Sequence, residues 1–196
     1  MKWHRRKIPA LGKTMETERF YLRSVGVVRA LQLHHKINQD RDILALFNLS
    51  HQKKSWLQWF RSMQRPNGKS RHTYEIINKQ DGASVGFHAM RLEPYRSASL
   101  TVVILDRDYW GKGVTVEVRK TLLPEFARKA GVECFKAQVS ARNFPSIFNH
   151  LKLGFSQVGT QQHVKFDVVR DEPRAFFNFE LMKCDFPDYF GCAANE

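Results

Sequence analysis

The chain has 196 residues, of which 42% are hydrophobic and 12% aromatic, so it can bury the core of a single domain and is not a disordered chain. No apolar run approaches the ~20 residues of a membrane helix, which excludes a helical membrane protein. The basic start is not followed by the ~7 to 15 residue apolar core of a signal peptide, so the sequence predicts a cytoplasmic protein with no membrane partner.

The formal net charge of +13 favours a polyanionic partner, such as RNA, a ribosome or an acidic protein. The basic residues are dispersed along the chain, and no zinc-finger, homeodomain or RNP-type pattern occurs. Nucleic acid is therefore a possible ligand, but it is not predicted to be the primary one.

The three cysteines are Cys134, Cys184 and Cys192. They are widely spaced, and they form neither a CxxC pair nor a Cys/His zinc pattern. Free thiols in a reducing compartment are the expected state, so the sequence predicts no disulfide and no metal site.

The first predicted elements follow a basic tail of residues 1–14. Alternating apolar and polar residues predict a strand at Glu16–Val25. Two helical patterns come next, a weaker one at Val28–Ile37 and a stronger one at Ser50–Met63, where two tryptophans, a phenylalanine and a methionine share one face. We interpret this aromatic face as core packing, although it could also line an acceptor pocket.

A β-hairpin is predicted over His72–Leu92, because β-rich runs flank the turn signal Asp81-Gly82. A further strand is predicted at Ala98–Asp106. The following helix, Val114–Ala130, has an apolar residue at every fourth position, with Gly131 placed to end it and Pro124 expected to kink it.

The last predicted elements alternate strand and helix. They are a strand at Cys134–Ala141, a helix at Phe144–Leu153 closed by Gly154, and strands at Gln157–Val169 and Phe176–Cys184. No repeat or change of composition marks a second domain. The sequence predicts a single α/β domain over residues 15–186, with a mostly antiparallel sheet and a C-terminal tail of residues 187–196.

A glycine turn, Gly111-Lys112-Gly113, lies between a predicted strand and the helix that begins at Val114. Glycines there can adopt positive φ and let a ligand approach the backbone, and the first amides of the helix attract anions. The turn is neither a Walker loop nor a Rossmann fingerprint. It could bind a pyrophosphate, or it could be a simple turn.

The stretch DYWGKGVTVEV around this turn resembles the coenzyme A loop of the GNAT acetyltransferases, in particular the branch of ribosomal-protein N-terminal acetyltransferases. That loop is written Q/R-x-x-G-x-G/A, often with tryptophan first, and Trp110, Gly113 and Thr115 occupy its signature positions. Thr115 departs from the usual small residue. A second block, ARNFPSIFNHLKLGF, is similar to the family's N-x-x-S helix and its final G-F, and the early TERFYLR is weakly similar.

The resemblance implies a GNAT-like fold of about seven strands and four helices, with a V-shaped split between two central parallel strands that end at ILD and FKAQVS. It implies acetyl-coenzyme A as cosubstrate. The residues that it assigns to coenzyme binding are Val103, Ile104, Leu105, Trp110, Gly111, Lys112, Gly113, Val114, Thr115, Asn143 and Ser146.

The resemblance also implies catalytic roles. Asn143 would bond the pantetheine arm, and Ser146 would be the general acid that protonates the leaving thiolate, although both are also good helix-start residues. A strand amide near Val103 or Ile104 would polarise the thioester carbonyl. The general base stays open: Glu93 and His88 are candidates, but a solvated glutamate and a structural histidine are the simpler interpretations.

The predicted function is transfer of an acetyl group from acetyl-coenzyme A to a primary amine, either a protein N-terminus or a small molecule. The charge favours an acidic or ribosome-associated acceptor, and a monomer or homodimer is expected. Two alternatives remain: a basic RNA- or ribosome-binding module that keeps the fold without catalysis, and an acyltransferase that uses another acyl-coenzyme A.

Overall fold

The structure, a computed structural model, describes residues 13–46, 71–167, 172–187 and 190. The predicted helix at Ser50–Met63, Cys192 and most of both predicted tails lie outside the described residues. None of the helices in the described ranges has the length and the apolar character needed to cross a membrane.

A single mixed sheet of eight strands forms the centre of the described structure, in the order β1-β2-β3-β4-β5-β6-β8-β7. All neighbouring strands are antiparallel except β5 and β6, which are parallel. The strands are β1 Thr14–Glu16, β2 Phe20–Ser24, β3 Arg71–Asn78, β4 Ser84–Glu93, β5 Ser97–Ile104, β6 Cys134–Ser140, β7 Ser156–Asp167 and β8 Glu172–Met182.

This sheet confirms the predicted fold class, with one strand more than expected. The strand predicted at Glu16–Val25 is divided between β1 and β2, which pair with each other because the chain reverses between them. The Thr17 amide donates to the Phe20 carbonyl across this reversal, at 2.8 Å. The predicted hairpin of β3 and β4 is confirmed.

Four helices are described: α1 Val27–Gln39, α2 Arg41–Leu46, α3 Val114–Ala130 and α4 Phe144–Lys152. The sequence prediction missed α2, a short helix whose first turn is capped by the Asp40 carboxylate. α3 has the predicted bounds, continues past Pro124 and ends at Gly131, where φ is +64°. The predicted kink at Pro124 stays a prediction.

Both faces of the sheet are covered by helices. On one face α3 buries Leu122 and Phe126 against Tyr74 of β3 and Phe135 of β6. On the other face α1 and α2 pack a smaller cluster against Phe87 of β4 and Val103 of β5. These two layers pack on either side of β5, which leads from between them to the glycine turn.

The parallel pair β5 and β6 opens into a split. Ser97–Ser99 pairs with Cys134–Lys136, and no pairing between the two strands continues beyond these residues. β5 nevertheless runs on to Ile104, and β6 to Ser140. The predicted V-shaped split is thus confirmed, and its open end lies where β5 leads into the glycine turn and β6 leads into α4. Ligands of sheets with parallel strands commonly bind at such carboxyl ends.

Candidate active site

The glycine turn presents bare backbone to solvent at the mouth of the split. Gly111 and Gly113 both have φ of +74°, and a Cβ added to either would meet nothing within 4 Å. Gly113 is the N-cap of α3, and no side chain of the described residues caps the helix. The amides of Val114–Val116 make no hydrogen bond to any described residue. Uncapped amides, the positive end of the helix dipole and open space together fit a phosphate-bearing ligand.

A clamp formed by Arg19 and Glu117 fixes this turn from behind. Glu117 accepts hydrogen bonds from the Thr17 hydroxyl at 2.6 Å, and from the amide and Nε of Arg19 at 2.9 and 2.7 Å. The other end of the guanidinium, Nη2 of Arg19, donates to the Lys112 carbonyl at 2.9 Å. Burial raises the pKa of Glu117, but these hydrogen bonds lower it by more than burial raises it. The net pKa is therefore depressed, and the clamp carboxylate is charged at neutral pH.

The clamp sets the direction of one amide in the turn. The Lys112–Gly113 peptide is trans, so the Lys112 carbonyl and the Gly113 N–H lie in one plane and point in opposite directions. Because Arg19 holds the carbonyl, the Gly113 N–H points away from the clamp, and it has no acceptor within the described ranges. The weak TERFYLR resemblance at the start of the chain therefore marks residues that shape the turn.

Trp110 lies across the end of β5. Its indole Nε1 donates to the Ile104 carbonyl at 3.0 Å, and the Arg107 guanidinium lies 5.3 Å from the centre of its ring. Arg107 in turn contacts the Asp42 carboxylate at 2.7 Å, which links the turn to α2. The indole is thus held in place while 40% of the residue stays exposed, so it can form a wall beside a ligand.

Alternate amides of β5 point into the split. The Leu105 amide donates to the Val85 carbonyl of β4, at 2.8 Å. Backbone groups alternate in direction along a strand, so the Val103 amide also points toward β4, whereas the Val102 and Ile104 amides point toward β6. Of the two predicted oxyanion donors, Ile104 therefore faces the split and Val103 does not. The Val103 side chain packs in the α1–α2 cluster.

Asn143 and Ser146 lie on the opposite side of the split, at the start of α4. Asn143 is the N-cap, because its Oδ1 accepts from the Ser146 amide at 3.2 Å. This is the helix-start role, and it leaves the Asn143 side-chain nitrogen without a partner among the described residues. Ser146 is half-buried, and its hydroxyl makes no hydrogen bond to any described residue. Both side chains are thus available to a ligand in the split.

A buried cluster of His88, Arg119 and His150 lies behind Ser146. Of its members, only His88 was expected from the sequence to be a candidate site residue. Arg119 is 1% exposed, and it donates to Nε2 of His88 at 3.3 Å and to Nε2 of His150 at 2.8 Å. Nδ1 of His150 lies 2.6 Å from the Ser146 carbonyl, which can only accept, so this nitrogen carries the proton. His150 therefore connects the guanidinium to the first turn of α4.

Both histidines of the cluster are neutral at physiological pH. Burial, with the charge of Arg119, lowers the pKa of His150 to about 3 and that of His88 well below its usual range. Burial also lowers the pKa of Arg119, to about 9, so the guanidinium is still charged at pH 7. His88 is fully buried in this cluster, which favours its interpretation as a structural histidine rather than the general base.

Glu93 is placed at the closed end of the split, on β4 opposite Ser97. Its carboxylate accepts from Arg91 at 2.7 Å. Burial raises its pKa, but the hydrogen bonds from Arg91 and Ser99 and the nearby Lys136 outweigh this, so the net pKa is lowered. A base with a lowered pKa is weak, so the geometry supports an ion-pairing role for Glu93 more than proton abstraction.

The two described cysteines are free thiols, Cys134 buried in β6 and Cys184 exposed. Burial raises the pKa of Cys134, which favours an unreactive thiol. Within the described ranges, no group of three or more His, Cys, Asp or Glu residues is arranged to hold a metal ion.

Comparison with known proteins agrees with this geometry. The family described as the acetyltransferase (GNAT) domain matches residues 19–156, whereas no curated protein matches the chain. A Vibrio cholerae spermidine N-acetyltransferase in complex with coenzyme A and spermine has a TM-score of 0.72 at 14% identity, over 85% of this chain and 97% of that one.

Two ribosomal-protein acetyltransferases are also similar in fold. The Vibrio fischeri ribosomal-protein-S5-alanine acetyltransferase has a TM-score of 0.70 at 14% identity, over 89% of this chain and 98% of that one. The ribosomal L7/L12 α-N-protein acetyltransferase RimL, in complex with coenzyme A, has a TM-score of 0.70 at 13% identity, over 86% of this chain and 97% of that one. The family match covers well over half of the residues of this chain, so this chain belongs to the GNAT acetyltransferase family.

Proposed function

We propose that the protein is an N-acetyltransferase that transfers the acetyl group of acetyl-coenzyme A to a primary amine. The observation that carries this proposal is the uncapped start of α3, with Gly111 and Gly113 in left-handed conformation at the open end of the split. Acetyl-coenzyme A is the cosubstrate that fits the family. A protein N-terminus and a small-molecule amine are both acceptors of the structurally similar enzymes.

The proposed binding roles are supported by the positions of the groups around the open end of the split. The amides of Gly113–Val116 would hold the pyrophosphate, with Lys112 adding a cation at the rim. Asn143 would bond the pantetheine arm through its free side-chain nitrogen. Trp110, Gly111, Thr115 and the strand end Val103–Leu105 would form the walls of the site.

The proposed chemical roles belong to groups on the two sides of the split, the Ile104 amide on one side and Ser146 on the other. Acetyl-coenzyme A, when bound, supplies the acetyl group as a thioester. The Ile104 amide would donate to the carbonyl oxygen as the amine nitrogen forms its bond to the acetyl carbon. Ser146 would give its proton to the sulfur as the carbon–sulfur bond breaks and would then take a proton back from water. The nitrogen would lose one proton to water or to a base.

The test is to mix the protein with acetyl-coenzyme A, and to follow both the melting temperature and the mass of a panel of amine acceptors. A ligand that binds the folded state alone raises the melting temperature. Gly113→Asp should abolish both the rise and the acetylation, because its carboxylate would lie where the pyrophosphate binds. Gly82→Asp is the matched control, since Gly82 also has positive φ, at +71°, and open space around it, but lies in the β3–β4 turn.

The alternatives give different results in the same experiment. An RNA-binding module without catalysis would show no rise with acetyl-coenzyme A and no acetylated product. An acyltransferase with another donor would show a larger rise with a longer acyl-coenzyme A. The cytoplasmic location and the monomeric or dimeric state stay predictions.

A further inference from the structure

A row of directly paired residues crosses the sheet at the closed end of the split. Arg71 of β3 pairs with Arg91 of β4, Arg91 with Ser99 of β5, Ser99 with Lys136 of β6, and Lys136 with Glu180 of β8. Directly paired residues point to the same face of a sheet, so these five side chains form one line. They line a groove of ≈ 560 Å³ on the face opposite α3.

The groove extends over the split itself. The next residues on that face beyond Ser99 and Lys136 are Thr101 and Gln138, which belong to the two separated strands and are exposed. The groove therefore gives an acceptor access to the split from the face that α3 does not cover. On the proposed function, this is where the amine would meet the acetyl group.

Charges in the row do not cancel. Arg91 is paired with Glu93 at 2.7 Å, and Lys136 with Glu180 at 3.3 Å. Arg71 is half-buried, and its side chain makes no ion pair or hydrogen bond with any described residue. Burial first, and then the charge of Arg91, lower the pKa of Arg71. Among the described residues this guanidinium has unfilled hydrogen-bonding capacity, and an anion would relieve its repulsion from Arg91.

We propose that Arg71 is the anion-binding residue of the acceptor groove, and that the enzyme prefers amine acceptors with a carboxylate near the reacting nitrogen, such as an acidic peptide N-terminus. This inference rests on the proposed function. It excludes polyamines as preferred acceptors, because their additional positive charges would lie against Arg71 and Arg91, and the described part of the chain places no unpaired carboxylate beside these arginines.

The spacing defines where the acceptor carboxylate lies. Neighbouring strands are ~4.8 Å apart, so the backbones of β3 and β5 are separated by about 10 Å. The long side chain of Arg71 covers part of this distance. An extended peptide advances about 3.3 Å per residue, so a carboxylate on the second or third residue would meet the guanidinium while the terminal amine lies over the split.

The experiment compares kcat/KM for two short peptides that differ only in having aspartate or asparagine as the second residue, with spermidine as a third acceptor. A charge-assisted hydrogen bond contributes about 1.5–3 kcal/mol, so the wild type should prefer the aspartate peptide by roughly 10- to 100-fold. Arg71→Gln should reduce this ratio to near one. Arg71→Glu should favour a peptide with lysine as the second residue.

Arg128→Gln is the matched control, because it removes one positive charge from an exposed site on α3 and should leave the ratio at the wild-type value. Equal rates for the aspartate and asparagine peptides in the wild type would overturn the inference and leave the acetyltransferase proposal standing. So would a preference for spermidine. If none of the three acceptors is acetylated and acetyl-coenzyme A does not bind, the proposed function fails, and the inference fails with it.

Discussion

Acidification should destabilise the protein through His150, because its pKa is depressed in the folded state. The pKa of His150 is about 3 when folded and near 6.5 when unfolded. Between these values the unfolded chain binds a proton that the folded chain does not, so this contribution to stability is complete above about pH 6.5 and is lost as the pH falls toward 3. Each pH unit in that window costs about 1.4 kcal/mol for one such histidine.

The perturbation that isolates this effect is His150→Gln. A glutamine can accept from Arg119 and donate to the Ser146 carbonyl, but it does not titrate. Urea unfolding between pH 6.0 and 4.5 should show a shallower fall of the unfolding free energy in the variant, by about 2 kcal/mol over the 1.5 units. The pKa of His88 is also depressed, so His88 should contribute the same fall of the unfolding free energy to the wild type and to the variant.

Phe155→Leu separates the proton effect from lost packing. The Phe155 ring lies 5.1 Å from that of His150, so this variant should lower stability at every pH and keep the wild-type slope. Parallel curves of unfolding free energy against pH for His150→Gln and the wild type would contradict the proton effect. In that case His150 would either carry a proton in the folded state, or the cluster would open well above pH 4.5.

Three further predictions concern the site. Ser146→Ala should lower kcat by ~10²-fold with little change in acetyl-coenzyme A affinity, because proton delivery matters only as the bond breaks; equal losses in both would make Ser146 a binding residue. Arg19→Gln should weaken coenzyme A binding by about tenfold in calorimetry, since one charge-assisted hydrogen bond at the turn loses its alignment, and unchanged affinity would contradict the clamp. Raising salt from 0.1 to 1 M should raise the acceptor KM more than the acetyl-coenzyme A KM, and a flat acceptor KM would remove long-range attraction from recognition.

Sequence patterns were sufficient for the parts of the fold that depend on local periodicity. The four-residue spacing of apolar side chains predicted α3 with its observed bounds, and Asp81-Gly82 predicted the hairpin of β3 and β4. The position of the glycine turn also followed from local sequence, because the conformation of a turn is largely encoded in its own residues. The binding and catalytic roles assigned around it remain predictions.

The missed features depend on contacts between distant segments. Glu117 and Thr17 are 100 residues apart, and Arg119 meets each of its two histidines across 31 residues. Nothing in local periodicity pairs such residues, and a buried arginine in a helix has the same sequence signature as an exposed one. The row that contains Arg71 could be found only once the registers of four strand pairs were known.

Two ranges of electrostatics operate in this protein, and the salt series can separate them. The net charge of +13 acts over the Debye length, which falls from ~10 Å at 0.1 M salt to ~3 Å at 1 M, so its effect on acceptor encounter should largely disappear. Arg71 would act by direct contact in a half-buried groove, where salt screens much less. The KM values of the aspartate and asparagine peptides should therefore converge only slightly, and most of their kcat/KM ratio should survive at 1 M. If the ratio falls to one while activity remains, general surface charge rather than Arg71 accounts for acidic preference.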